Sequence, residues 1–185
     1  MNNKITRIVF IALAGIVFPL FSFSQNAAEI KWMSFEQAVE KNKTEPKKIF
    51  IDVYTNWCGW CKRMDATTFK DSAVVSYLNK YFHAVKLNAE TKDTIRFQGH
   101  DFVFRPENRA NDIAISLLNK KMSYPTMVYM DEAISMLSPV PGYLTAEQIM
   151  PVLKYYGDNI YKTKTWEDYS KEVMASPATP AKQNK

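Results

Sequence analysis

The sequence predicts an α/β domain: a central mixed sheet flanked by helices. Three observations carry this expectation. Lys48-Ile49-Phe50-Ile51-Asp52-Val53-Tyr54 is an apolar run interrupted by one acid, the pattern of a strand buried on both faces. Helical and strand patterns alternate through the first half of the folded region. Thr126–Met130 and Ile134–Val140 then make a hairpin-like pair that closes the sheet with an antiparallel element.

The start of the chain follows a different logic. Met1–Arg7 carries Lys4 and Arg7 and no acid, Ile8–Phe18 is an unbroken apolar or small-residue run, and Ser22 and Ser24 supply small residues before a cut at Gln25. This is the layout of a secretory signal peptide. The run falls short of the roughly 20 residues that span a bilayer. An uncleaved anchor is the alternative, because Pro19–Phe23 extends the apolar stretch. No cysteine follows the cut to carry a lipid. The expected organisation is therefore a signal peptide at 1–24, a folded domain at 25–175 and a tail at 176–185, with export to a periplasmic or other extracytoplasmic space and no stable membrane insertion after cleavage. Cleavage removes Lys4 and Arg7 and no acid, so the net charge falls from +5 to +3. Near-neutrality argues against nucleic acid as a partner. The tail, SPATPAKQNK, has nothing to bury.

Within the domain, Ser34 and Gln37 form a capping box, and Phe35, Ala38 and Val39 follow at helical spacing. After the 48–54 strand come the cysteines and a helix through Cys61, Met64 and Ala66, which restarts at Asp71 and continues through Val74, Val75 and Leu78. Phe82–Leu87 reads as a second strand. Thr94–Arg105 reads as a β-hairpin with Gly99-His100 as its turn, placing Phe97 opposite Phe102 and Ile95 opposite Phe104. Ala110, Ile113, Ala114, Leu117 and Leu118 trace a helical stripe. Thr145 and Gln148 cap a last core helix in which Pro151 should introduce a kink. Trp166–Val173 reads as one further short helix.

The chain holds two cysteines, in Asn56-Trp57-Cys58-Gly59-Trp60-Cys61-Lys62-Arg63. Three readings compete. A structural disulfide is the default for an exported chain, but a loop this short contributes only about 2 kcal/mol in the chain-entropy model. Zinc wants four ligands, and only His83 and His100 remain to complete a set. Haem attachment needs histidine after the second cysteine, where Lys62 stands. The third reading is a redox pair. Thiols at i and i+3 in a helix's first turn can close a disulfide, and the N–H groups and dipole there stabilise a thiolate. Cys58 at the helix start is then the exposed nucleophile, and Cys61 one turn in resolves the mixed disulfide. His83 and His100 lack triad partners, so both are read as structural or solvated.

Four landmarks in order resemble the thioredoxin superfamily, and within it the exported thioredoxin-like proteins with an insertion before the proline loop. Trp57-Cys58-Gly59-Trp60-Cys61-Lys62 is similar to the WCxxCK active site. Asp52 falls at the family's buried acid, and Val85-Lys86-Leu87-Asn88 matches the strand whose lysine faces that acid. Tyr124-Pro125-Thr126 matches the loop whose proline is cis. The resemblance spans roughly Ile30 to Gly157. It implies a thioredoxin-like fold, with the 94–105 hairpin inserted before the cis-proline loop, and catalysis by Cys58 and Cys61 without a cofactor beyond their own disulfide. Asp52 would accept the Cys61 proton, its pKa raised by desolvation and tuned by Lys86. Trp57, Gly59, Trp60, Tyr124 and Pro125 would face the substrate, with Trp60 exposed, Trp57 partly buried and the Tyr124 backbone free to pair with an extended segment.

Two departures qualify the match. Trp60 replaces the proline that reducing members usually carry, and about 30 mV corresponds to about 1.4 kcal/mol, so the potential does not carry over. Asp131-Glu132-Ala133 lacks the glycine expected in its turn. The reading is a thiol–disulfide oxidoreductase acting on cysteine-containing proteins, leaning to reductant. No nucleotide or flavin fingerprint appears, so electrons would pass through a partner protein. An oxidase or isomerase, or a thioredoxin-fold binding module with an idle pair, are the alternatives. The 94–105 hairpin is either a recognition lip or a flap over the core.

Overall fold

The computed structural model describes residues 29–175, so the expected signal peptide and tail lie outside the described residues. In chain order the elements are β1 (Trp32–Met33), α1 (Phe35–Asn42), β2 (Lys48–Tyr54), α2 (Gly59–Ala66), α3 (Ser72–Tyr81), β3 (Phe82–Asn88), β4 (Ile95–Phe97) and β5 (His100–Phe102). There follow β6 (Phe104–Arg105), β7 (Ala110–Asn111), α4 (Asp112–Leu117), β8 (Thr126–Met130), β9 (Met136–Pro141), α5 (Ala146–Gly157) and α6 (Trp166–Ala175). Five strands form one mixed sheet in the order β1-β3-β2-β8-β9. β1 and β2 run parallel to β3, while β8 is antiparallel to β2 and β9 to β8.

Strand β2 lies in the middle of this sheet, and alternation along it sorts the two cores. Ile49, Ile51 and Val53 join Val85, Leu87 and Val128 against α1 and α4, through Phe35, Ala38, Ile113 and Leu117. Phe50 points the other way, with Ala84, Met127 and Tyr129, against Met64 of α2, α3 and α5. Asp52 and Lys86 share the parity of Phe50 and Ala84, and they are directly paired across β2 and β3. An acid and a base thus enter the α2 side of the sheet by register alone.

The helix starts follow local chemistry. Ser34 with Gln37, and Thr145 with Gln148, form reciprocal capping boxes, and Asp71 accepts the N–H groups of Ala73 and Val74 to restart the chain into α3. Helix α5 continues through Pro151. The proline removes the N–H that would have bonded Glu147, an exposed position.

The 94–105 region departs from its expected register. Phe97 pairs with His100 and Ile95 with Phe102, and the turn is Gln98-Gly99 rather than Gly99-His100. Both Gln98 (φ 51°) and Gly99 (φ 76°) are left-handed, as the favoured two-residue hairpin turn with twisted flanking strands requires. The slip of two preserves the face, so Ile95, Phe97 and Phe102 still pack against the α1-side core. Phe104 instead pairs with Asn111 in a second small ribbon. Buried Asn111 ties this region down, donating to the carbonyls of Thr91 and Asp93 and accepting the N–H of Ile113.

The turn without glycine between β8 and β9 also delays the last strand, which begins at Met136 rather than Ile134. Ile134 itself takes φ 61°, while Asp131 Oδ1 braces the turn by accepting the N–H groups of Ala133 and Ser135. Both ends of the sheet are modest. β1 has two residues, and β9 carries Pro139 and Pro141.

Candidate active site

The chain leaves β2 at Tyr54 and turns into α2, and both cysteines fall at that junction. Cys58 is the N-cap of α2, with extended backbone, and its Sγ accepts the N–H of Cys61 at 3.0 Å. The two form a disulfide with Cα atoms 5.3 Å apart. The same N–H that meets the bonded sulfur is aimed at the anion that would form on reduction. One expectation is corrected here: Cys58 is only 5% exposed, against 2% for Cys61. As an N-cap it is folded back onto the first turn of α2, and its neighbours carry the surface.

Those neighbours are the tryptophans. Trp60 is 56% exposed, as expected, but Trp57 is 66% exposed rather than partly buried. Trp57 stands upright because its ring meets Tyr124 edge-on at 5.8 Å and its Nε1 donates to Glu90 at 2.9 Å. Trp60 rests on Tyr143 with centroids 5.3 Å apart, and the Arg63 guanidinium lies 5.5 Å from the Trp60 ring and 5.8 Å from Tyr143. Among the described residues, a Cβ at Gly59 would meet nothing within 4 Å, so the chain surface at this position is open.

The Tyr124–Pro125 peptide is cis. Pro125 C=O accepts the N–H of Gly142, which links this loop to the segment bearing Tyr143. Among the described residues, neither backbone polar group of Tyr124 has a partner.

Behind the disulfide lies a buried ionic network. Asp52 is 1% exposed. Its Oδ2 accepts from Lys86 Nζ at 2.6 Å, and its Oδ1 has no partner among the described residues. Burial, opposed by the adjacent ammonium, pushes the Asp52 carboxyl up to about 6. Lys86 also donates to Asp65 of α2. Burial works against the Lys86 charge, but the two carboxylates outweigh it and hold the ammonium above its ordinary range. Its Nζ also sits 4.8 Å from the Tyr54 ring centroid and 5.2 Å from that of Trp32. A cavity of about 260 Å³, lined by Glu29, Trp32, Asp65 and Lys86 among others, abuts the network.

Sequence reasoning missed Asp65, Glu90 and Tyr143 as parts of this site, while the charge of Lys62 and Arg63 beside the cysteines is legible in the sequence. Asp65 carried a usable signal, since it lies four residues after Cys61 on one helix face. Glu90 and Tyr143 arrive from distant loops and carried none. Of the histidines, buried His83 meets the Glu45 carbonyl through Nε2, and His100 packs edge-on against Phe102.

Several known proteins are similar. The sequence model of a thioredoxin-like DsbH family, described as "Protein of unknown function, DUF255", matches residues 20–135. A 67-residue stretch is 34% identical to the thiol:disulfide interchange protein DsbD of Pseudoalteromonas atlantica, covering 36% of this chain and 11% of that protein. Over 112 residues the chain is 28% identical to protein disulfide-isomerase C17H9.14c of Schizosaccharomyces pombe, covering 52% and 30%. The chain thus spans no more than 30% of these relatives' length. Among solved structures, a DsbH oxidoreductase superposes with TM-score 0.51 at 20% identity, covering 71% of this chain and 87% of the other. A thioredoxin-fold protein from Helicobacter pylori gives 0.53 at 20% identity, covering 71% and 82%. A putative disulphide-isomerase from Bacteroides thetaiotaomicron gives 0.51 at 24%, covering 75% and 98%. The fold is thioredoxin-like.

Proposed function

Because the chain belongs to the thioredoxin-like DsbH family, we propose that it is an extracytoplasmic thiol–disulfide oxidoreductase that reduces disulfides in other proteins. The observation that carries this reading is the pairing of an N-capping Cys58, bridged to Cys61, with a buried carboxyl that titrates close to neutrality.

In the reduced protein, the Cys58 thiolate attacks one sulfur of a client disulfide. A Cys58–client bond forms, the client S–S bond breaks, and one client thiolate leaves. Asp52 takes the proton from Cys61, whose sulfur then attacks Cys58. The Cys58–Cys61 bond forms and the second client thiolate departs, so two electrons have passed to the client. Lys86 holds Asp52 in place and lowers the cost of its charge. The open surface over Gly59, the exposed tryptophans and the unpaired Tyr124 backbone suit an extended client segment. A partner protein's dithiol returns the electrons. Export is supported by the charge and apolar pattern of residues 1–24, and the reducing direction by the Asp52–Lys86 pair.

A second reading, donation of the disulfide to clients, is favoured by Trp60 between the cysteines and by the likeness to a disulfide-isomerase. Insulin reduction with dithiothreitol tests the activity: wild type should accelerate precipitation and Cys58→Ser should not, and equal rates would overturn the reading. Equilibration with glutathione then assigns direction. A reductant should stay largely dithiol only under strongly reducing ratios.

A further inference from the structure

We propose that Trp60, Arg63 and Tyr143 form a subsite that selects client segments with an acidic side chain close to the reacting cysteine. The proposal rests on the oxidoreductase reading and adds the substrate class to it.

Charge on α2 is the starting point. Its charged side chains are Lys62, Arg63 and Asp65. Asp65 is engaged by Lys86, and the surface beside the disulfide is left to the two cations. Among the described residues, Arg63 has no carboxylate within ion-pair distance. Instead its guanidinium lies over two rings and hydrogen-bonds the Tyr143 hydroxyl, contacts that fix its position while its remaining N–H groups meet no carboxylate.

Tyr143 is itself anchored. Its hydroxyl lies 3.2 Å from that of Thr67, the next residue's carbonyl accepts the Thr68 hydroxyl, and the preceding Gly142 bonds Pro125. The cation is therefore held between the active-site helix and the segment attached to the proline loop. A client lying over Gly59 passes it.

The other tryptophan has the opposite polarity. Trp57 is bonded to Glu90, which repels a client carboxylate and accepts donors. An acidic residue is thus steered to the Trp60 side, which fixes register as well as preference.

The test uses reduced wild-type protein and a series of disulfide-linked peptide dimers, identical except for Glu, Gln or Lys at one or two residues from the cysteine. At one or more positions the reduction rates should rank Glu above Gln above Lys, by about threefold per step, and the ranking should fade in about 0.5 M salt. Arg63→Gln should remove the ranking, Arg63→Lys should retain part of it, and Lys62→Gln should preserve it. Equal rates for all peptides, or a ranking that survives Arg63→Gln, would overturn the subsite. Cysteine-to-serine versions, followed by quenching of tryptophan fluorescence, give a binding readout that needs no redox step. If wild type reduces no peptide, the oxidoreductase reading fails, and the binding arm alone decides the subsite.

Discussion

Replacing Asp52 with asparagine should make the protein more stable near neutral pH while slowing its chemistry. The carboxyl titrates at about 6 in the folded protein, against about 3.9 for an ordinary aspartate. Below pH 4 the group is protonated in both states and contributes nothing. Between the two values the unfolded chain has released its proton and the folded protein has not, so stability falls as pH rises. Above about pH 6 the loss is complete, and the gap of about two pH units corresponds to about 3 kcal/mol. Asparagine keeps the shape and removes the titration. Lys86 retains Asp65 as a partner, so its charge is not stranded. Urea unfolding of the oxidised proteins should therefore show Asp52→Asn more stable than wild type by about 2–3 kcal/mol at pH 8, the difference closing towards pH 4. Resolution of the mixed disulfide should slow by about a hundredfold in the same variant, the low end of what a positioned base contributes. A stability difference independent of pH, or a variant less stable at pH 8, would refute the assignment of a desolvated carboxyl.

Two other perturbations bear on the same architecture. Asp65→Asn removes a negative charge that helps raise Asp52, so the Asp52 carboxyl, followed by carbon-detected NMR, should titrate at lower pH than in wild type; an unmoved titration would show that the shared lysine does not couple them. Phe97→Ala removes a half-buried ring that meets Phe35 edge-on at 5.2 Å, and should cost about 1–2 kcal/mol, less than full core truncation. Unchanged melting would mark the 94–105 hairpin as a lip that the core does not need.

Much of the frame could be read from the chain because the deciding interactions are local. Capping at Ser34, Asp71 and Thr145 depends on residues two or three positions away, and the 48–54 strand declares itself by continuous apolarity. The cysteine pair was equally local. What escaped depended on distance or on backbone hand. Glu90 finds Trp57 across 33 positions, and Tyr143 meets Thr67 across 76. The hairpin register turned on Gln98 accepting a left-handed conformation, which residue type alone did not announce. Cys58 was expected at the surface because nucleophiles need access. The N-cap geometry instead tucks it in and leaves access to whatever moves or fits around the tryptophans.

The prolines of β9 reach beyond the site. In the ladder with β8, Ser138 and Val140 alternate with Pro139 and Pro141, and a proline has no N–H to offer a newcomer. The outward rim of the sheet is thereby deprived of successive donors, and the opposite rim is only two residues long. Among the described residues, the five-stranded sheet thus offers little template at either rim on which strands could stack into fibrils.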